Sequence, residues 1–293
     1  MNQEIDQVLD ELLHLLELER LEDNLFRGPS RDIGTSRVFG GQVLAQALLA
    51  ASQTVEERQV HSLHAYFLRA GDSGSPIVYD VDRSRDGRSF TVRRVVAIQH
   101  GRPIFNLAAS FQIDEPGFEH QAGMPQVPAP DELQPASGVD PEILQRLPQK
   151  LQRWFNRTGP FEFRSVNRLD PFNPEKQAPQ KQTWFHCKGQ LPDQPQLHQA
   201  LLAYASDFHL IGTTTLPHGV SYLTENLQMA SLDHGMWFHR PCRVDEWLLY
   251  TCDSPSASGA RGLARGQIFT RDGKLVASTA QEGLIRIWGK PAG

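Results

Sequence analysis

The chain has 293 residues, 39% of them hydrophobic and 22% charged, with a formal net charge of −5. That composition is globular, and the length suits one large domain or two ordinary ones. The acidic balance argues against broad binding to nucleic acid or an anionic membrane surface, and leaves room for a local basic pocket.

In chain order, the opening MNQEIDQVLDELLHLLELER predicts an acidic, amphipathic surface helix rather than a secretory or mitochondrial leader. GGQVLAQALLAAS (40–52) is small and apolar on nearly every side, so as a helix it must be buried on most sides. Strand-like runs follow, with a tight turn predicted at His100-Gly101-Arg102. EPGFEHQAGMPQVPAPDELQPASGVD then reads as a Pro-rich linker crossing the surface, with a short helix expected at PEILQRLPQKLQRWF.

Beyond the linker the pattern repeats. QALLAYAS (199–206) echoes QALLAAS (46–52), and MWFHRPCRVDEW echoes HAYFLRAGD, with Phe238 and Arg240 opposite Phe67 and Arg69. Asp272-Gly273-Lys274 matches the earlier Gly turn. One unit is used twice, each with a buried helix followed by three or more long strands. A strongly curved antiparallel sheet wrapped around one central helix meets that need, and two such units make an α+β protein. The expected division is 1–115 for the first unit, 116–160 for the linker and 161–293 for the second unit.

No run approaches eighteen consecutive apolar residues, so no membrane-spanning helix is expected; the last residues, KPAG, form no peroxisomal address. Cys187, Cys242 and Cys252 show no CxxC spacing, which reads as buried thiols in a reducing cytoplasm. GxSxG, P-loop, GxGxxG and HExxH motifs are missing. His234 and His239 are five residues apart, which on a strand places them on opposite faces and disfavours a shared metal. The stretch LVASTAQEGLIR (275–286) reads as a strand interrupted by Gln281 and Glu282. A buried amide there costs roughly 1–3 kcal/mol unless it is hydrogen-bonded.

VFGGQVLAQAL, HSLHAYFLRAGD, RDGRSF, AYASD, MASLDHGMWFHRP and ASTAQEGL together resemble the acyl-CoA thioesterase II family, the TesB-like double-hotdog enzymes. The resemblance runs from about Leu21 to Ile287. It implies two tandem hotdog folds, each an antiparallel sheet wrapped around a long central helix, and hydrolysis of fatty acyl-CoA of medium to long chain to free acid and CoA. It also implies no cofactor, no metal and assembly into a homodimer or homotetramer. The catalytic set it implies lies in the second unit: Asp207 of AYASD, Ser231 before the Asp-His pair, and Gln281 of STAQEG.

That set suits thioester hydrolysis by water. A buried Asp can take a proton from water if desolvation raises its pKa, a contribution worth about 10²–10⁴ in rate. A hydroxyl and an amide can hold the water in line, and a backbone N–H at a helix start can stabilise the oxyanion. The repeat adds an argument of its own: Gln281 aligns with Ala109, and Asp207 follows the shared segment where the first unit has Ser52-Gln53-Thr54. Polar chemistry has been kept in one half only.

For the CoA phosphates the candidates are Arg85 and Arg88, within the run RSRDGRSFTVRR that also holds Arg93 and Arg94, together with Gly41 for close backbone approach. Two other readings stand beside hydrolysis. One is a hotdog enoyl-thioester hydratase or dehydratase using Asp233-His234, and the other is a protein that binds acyl-CoA without turnover.

Overall fold

The computed structural model describes residues 2–31, 37–134, 159–167 and 170–288. The helix expected at PEILQRLPQKLQRWF lies outside the described residues. The opening segment forms α1 (Asn2–Leu16), which buries Leu9, Leu12, Leu15 and Leu16 as one face. α2 (Gly40–Ser52) is built from Ala, Leu and Gln, which are strong helix formers, and buries eleven of its thirteen residues. Its polar residues are paired inside: Gln46 Nε2 donates to the Leu15 carbonyl at 2.6 Å, and Tyr79 OH donates to Gln46 Oε1 at 2.6 Å. The second wrapped helix is α3 (Pro195–Ser206). No described helix is long and apolar enough to cross a membrane.

The first unit contributes β1 (Glu19–Glu22), β2 (Leu25–Gly28), β3 (Gln59–Phe67), β4 (Ile77–Asp86), β5 (Phe90–Gln99) and β6 (Arg102–Gln112). The second contributes β7 (Phe161–Ser165), β8 (Gln180–Cys187), β9 (Leu227–Ser231), β10 (Asp233–Phe238), β11 (Leu248–Ser258), β12 (Arg261–Thr270) and β13 (Leu275–Ile287). Period-two burial sets their faces: along β5, Thr91, Arg93, Val95, Ala97 and Gln99 turn inward. At the turn into β6, His100 and Gly101 both have positive φ, 49° and 70°, as a type I′ hairpin requires.

All described strands join one antiparallel sheet. Its order is β2-β4-β5-β6-β3 followed by β10-β13-β12-β11-β8, the same sequence of elements read outward from a seam between β3 and β10. Asp233 pairs with Tyr66, Gly235 with His64 and Trp237 with Ser62 across that seam. Offsetting residue numbers by 171 converts the first of these pairs into the third and leaves His64–Gly235 in place. A pseudo-twofold axis therefore passes through that pair.

The linker straps the outside of the second unit. Gln121 donates to the Gly273 carbonyl at 2.8 Å and accepts from Leu275 N–H at 3.1 Å, and Trp184 Nε1 donates to the Pro128 carbonyl at 3.0 Å. Met124 and Val127 cover a satellite cluster of Trp184, Leu249, Phe269 and Leu275. The linker thus covers apolar surface as well as crossing it.

Candidate active site

The C-terminal end of α3 reaches the N-terminal end of α2 because two glycines open α2. A Cβ at Gly40 would lie 2.6 Å from Asp207 Oδ2, and one at Gly41 would overlap the Tyr204 carbonyl oxygen. The N-cap of α2 is Phe39, which makes no side-chain cap, so its first-turn N–H groups need partners from elsewhere. Asp207, the C-cap of α3, provides one: its carboxylate accepts from Gly41 N–H. A carboxylate from one unit caps the helix of the other.

Gln281 arrives from the inner face of β13 and is fully buried. Its Nε2 donates to Asp207 Oδ1 at 2.8 Å and lies 3.2 Å from His234 Nδ1. His234, on the neighbouring β10, is also buried, with Nε2 2.9 Å from Ser206 Oγ. Ser206 donates its own proton to the Ala203 carbonyl at 2.8 Å, so it must accept from His234. The partners therefore fix the tautomer: His234 carries its proton on Nε2 and offers the Nδ1 lone pair to the Gln281 amide. Burial lowers the His234 pKa to about 4, so the ring is neutral, and its 4.0 Å approach to Asp207 is not an ion pair.

Burial raises the Asp207 pKa above the ordinary carboxylate value, against the smaller opposing pull of the Gln281 amide and Gly41 N–H. Gln281 Oε1 is buried without a hydrogen-bond partner among the described residues. The corner thus offers a carboxylate of raised basicity and an unpartnered carbonyl acceptor on the amide that holds it.

Asp207 and Gln281 are therefore joined directly. Ser231 pairs with Gly283 across β9 and β13, which makes it a diagonal neighbour of Gln281 on the same face, roughly 7–8 Å away between Cα atoms. It makes no hydrogen bond to Asp207 or Gln281. Arg85 and Arg88 are exposed on the β4–β5 hairpin. The Arg85 carbonyl accepts from Arg93, which also bonds Thr54 just past the end of α2. Most of the thirteen-residue helix, about 16 Å, separates that end from Gly41. The Asp233-His234 pairing is corrected: Asp233 accepts from Glu282 N–H at 2.7 Å, and the carboxylate nearest His234 is Asp207. Arg93, from the same arginine run, is buried and turned inward, so it is not available to CoA phosphates.

The pseudo-symmetric corner in the first unit is closed. Register puts Ala109 opposite Arg93 where Gln281 stands opposite Ala264, and it pairs Leu63 with Ala109 where the His234 side chain meets that of Gln281. Arg93 is 2% exposed and fills the space. Its five donors are satisfied by Thr54 Oγ1 and carbonyl, the Asp86 carboxylate, and the Arg85 and Val92 carbonyls. A cleft of about 830 Å³ opens at the other end of α3, by Pro195, His198 and Arg243. It is remote from the carboxylate–amide pair, and its Arg243 is already paired with Asp193 and Asp245.

Two wrapped-sheet units sharing one sheet, with one such polar corner among the described residues where the helix ends meet, define a double-hotdog enzyme of the thioester-processing class. Residues 26–112 match the acyl-CoA thioesterase N-terminal domain and residues 151–284 match the acyl-CoA thioesterase family. The chain is 47% identical to acyl-CoA thioesterase 2 of Haemophilus influenzae over 96% of this chain and 99% of that one. It is 42% identical to human acyl-coenzyme A thioesterase 8 over 93% and 88%. The crystal structure of acyl-CoA thioesterase II TesB2 from Mycobacterium marinum superposes with a TM-score of 0.76 at 45% identity, covering 94% of this chain and 97% of the other. The chain belongs to the acyl-CoA thioesterase II family.

Proposed function

We propose that the chain hydrolyses fatty acyl-CoA of medium to long chain, with broad range, to the free acid and CoA, and that Asp207 is the general base. The observation that carries this reading is the buried Asp207–Gln281 pair at the start of α2. Water donates one hydrogen bond to the Asp207 carboxylate and the other to Gln281 Oε1, leaving a lone pair aimed at the thioester carbon. Asp207 takes the proton as the oxygen attacks. The Gly40 N–H, the first-turn donor of α2 left open among the described residues when Gly41 bonds Asp207 and Gln42 and Val43 bond the Phe39 carbonyl, meets the developing oxyanion, an interaction worth about 10²–10³. The tetrahedral intermediate then expels the thiolate, which recovers the proton from Asp207. Ser231 steers the water from the neighbouring strand, and Phe208, in ring contact with both Phe39 and Phe163, borders the acyl chain with them.

Direct attack by water fits the thiols, since burial pushes Cys187, Cys242 and Cys252 up to about 12 and leaves no thiolate to form an acyl-enzyme. In the same reading the catalytic half is the second unit, 161–293, joined to the first through the 116–160 linker. The enzyme acts in the cytoplasm as a homodimer or homotetramer, and Arg85 and Arg88 serve at most the distal phosphates of CoA.

Thiol release across an acyl-CoA length series tests the activity. Asp207→Ala is expected to lose most turnover while CoA still binds. Hydrolysis near the wild-type rate in that variant removes Asp207 from the mechanism.

A further inference from the structure

We infer that His234 is a positioning residue for the reaction. Its Nδ1 lone pair fixes the Gln281 carboxamide so that the amide donates to Asp207 and its Oε1 is left free. This rests on the reading of Asp207 and Gln281 given above and adds a residue outside the Asp, hydroxyl and Gln set.

The geometry leaves His234 one role. A Gln amide can turn by half a rotation, exchanging Oε1 and Nε2, and a carboxylate alone selects the donor side only while it is ionised. Here a second acceptor stands on the same side. Gln281 Nε2 faces both Asp207 Oδ1 at 2.8 Å and His234 Nδ1 at 3.2 Å, so each amide proton has its own partner. In the flipped amide, Oε1 would face a carboxylate oxygen and an imidazole lone pair together. The arrangement persists when Asp207 picks up a proton during the reaction, because the imidazole still demands a donor.

His234 is held to that task from behind. Ser206 accepts its Nε2 proton and is itself committed to the Ala203 carbonyl. The Ser206 carbonyl accepts from Tyr250 OH at 3.1 Å, and Tyr250 meets Thr279 Oγ1 at 2.8 Å. With both ring nitrogens engaged and the side chain buried, His234 is not placed to exchange protons with a substrate. This separates it from the base of a hydratase.

The repeat shows that the fold does not need an imidazole there. At the offset of 171, Leu63, paired with Ala109 in the first unit, corresponds to His234, whose ring meets Gln281 in the second. Ser52 and Ser206 are both retained as last helical residues, and Ser52 merely bonds back to the Leu48 carbonyl at 2.8 Å. The imidazole is present only in the half that has the amide.

The test pairs two amides that differ in where they place an acceptor. In His234→Asn the side-chain oxygen falls near the Nδ1 position, while in His234→Gln the amide reaches the Nε2 position and the Nδ1 acceptor is lost. Expected are a kcat within about tenfold of wild type for Asn, a loss near 10²-fold for Gln, and KM changed less than about threefold in both. In a Gln281→Ala background, His234→Gln should cost nothing further, because it acts through that amide. His234→Gln at the wild-type rate, or additive losses in the double variant, overturns the inference. ¹⁵N NMR of the wild-type enzyme reads the tautomer without a substitution. A proton on Nδ1, or titration near the ordinary histidine value, overturns the inference equally. Asp207→Ala runs in parallel: full activity there defeats the underlying base assignment, whereas loss there with full activity in His234→Gln defeats this inference alone.

Discussion

Ala109 in β6 and Gln281 in β13 hold the same register position in their units, the first opposite Arg93 and the second opposite Ala264. The exchange moves bulk and charge from one strand to the next. In the first unit a guanidinium seals the space under the helix end, and in the second a small residue leaves it to a carboxylate and an amide.

A ligand should therefore find one corner per chain. Titration of a non-hydrolysable acyl-CoA analogue by calorimetry is expected to give one site per chain, since the other corner has Leu63, Ala109 and Arg93 in place of the polar set. Two equivalent sites would contradict the closure.

Arg93 is expected to matter for stability and hardly for turnover. Arg93→Leu strands the Thr54 carbonyl and other acceptors in a buried place, a loss of about 2–4 kcal/mol by urea unfolding, with kcat of the folded fraction within about twofold of wild type. A lost kcat at unchanged stability would give Arg93 a chemical role.

Asp207→Asn separates base from cap. Asparagine keeps an oxygen for Gly41 N–H or the Gln281 amide but cannot take a proton, so kcat should fall about 10²–10⁴-fold. Burial raises the folded-state pKa of Asp207, so its ionisation opposes folding. The stability it contributes is present below the unfolded pKa and is lost as pH rises through the folded one. The Asn variant should accordingly match or exceed wild type at pH 7, by about 0.5–2 kcal/mol, with the gap closing in acid. The wild-type rate profile should show its acid limb above the ordinary Asp value.

His234 gives the opposite sign. Its folded pKa is lowered to about 4 by burial, against about 6.5 unfolded. Its contribution is complete above pH 6.5 and fades as pH falls toward 4, of order 3 kcal/mol in all. His234→Leu, which copies Leu63, should flatten that part of the stability curve. An unchanged slope between pH 4 and 6.5 would mean that the ring is not buried neutral.

Gln281→Ala should lower kcat about 10²-fold, and its melting temperature should fall by only a few degrees, because Ala109 shows that the strand accepts Ala at this place. A large fall in melting temperature at unchanged kcat would make the amide structural.

Much of this was legible beforehand. The two buried helices follow from having no polar face, and the repeat follows from QALLA and the Gly turns. Asp207 and Gln281 stand out because their counterparts are Gln53 and Ala109. What the sequence hides is contact across distance. Asp233 and His234 are adjacent and suggest a pair, yet neighbours on a strand point to opposite faces, and the inward His234 meets groups 28 and 47 residues away. Arg93 and Arg94 look alike in an arginine run, but the inward one finds five acceptors, two of them on Thr54. Nor could spacing reveal that Gly40 and Gly41 admit the end of a helix from the other unit.

The seam between β3 and β10 carries a consequence for any attempt to divide the molecule. Cut at the linker, each half would bare a long unpaired strand and would be driven to double with itself. The self-paired second half would regain its acid and its amide, but the helix facing them would begin with Pro195 at the first helical position, where α2 has Gly40, so a ring without an N–H would stand in place of the glycine that admits Asp207. Each half owns one ingredient of a single reaction centre, so neither fragment would inherit the chemistry.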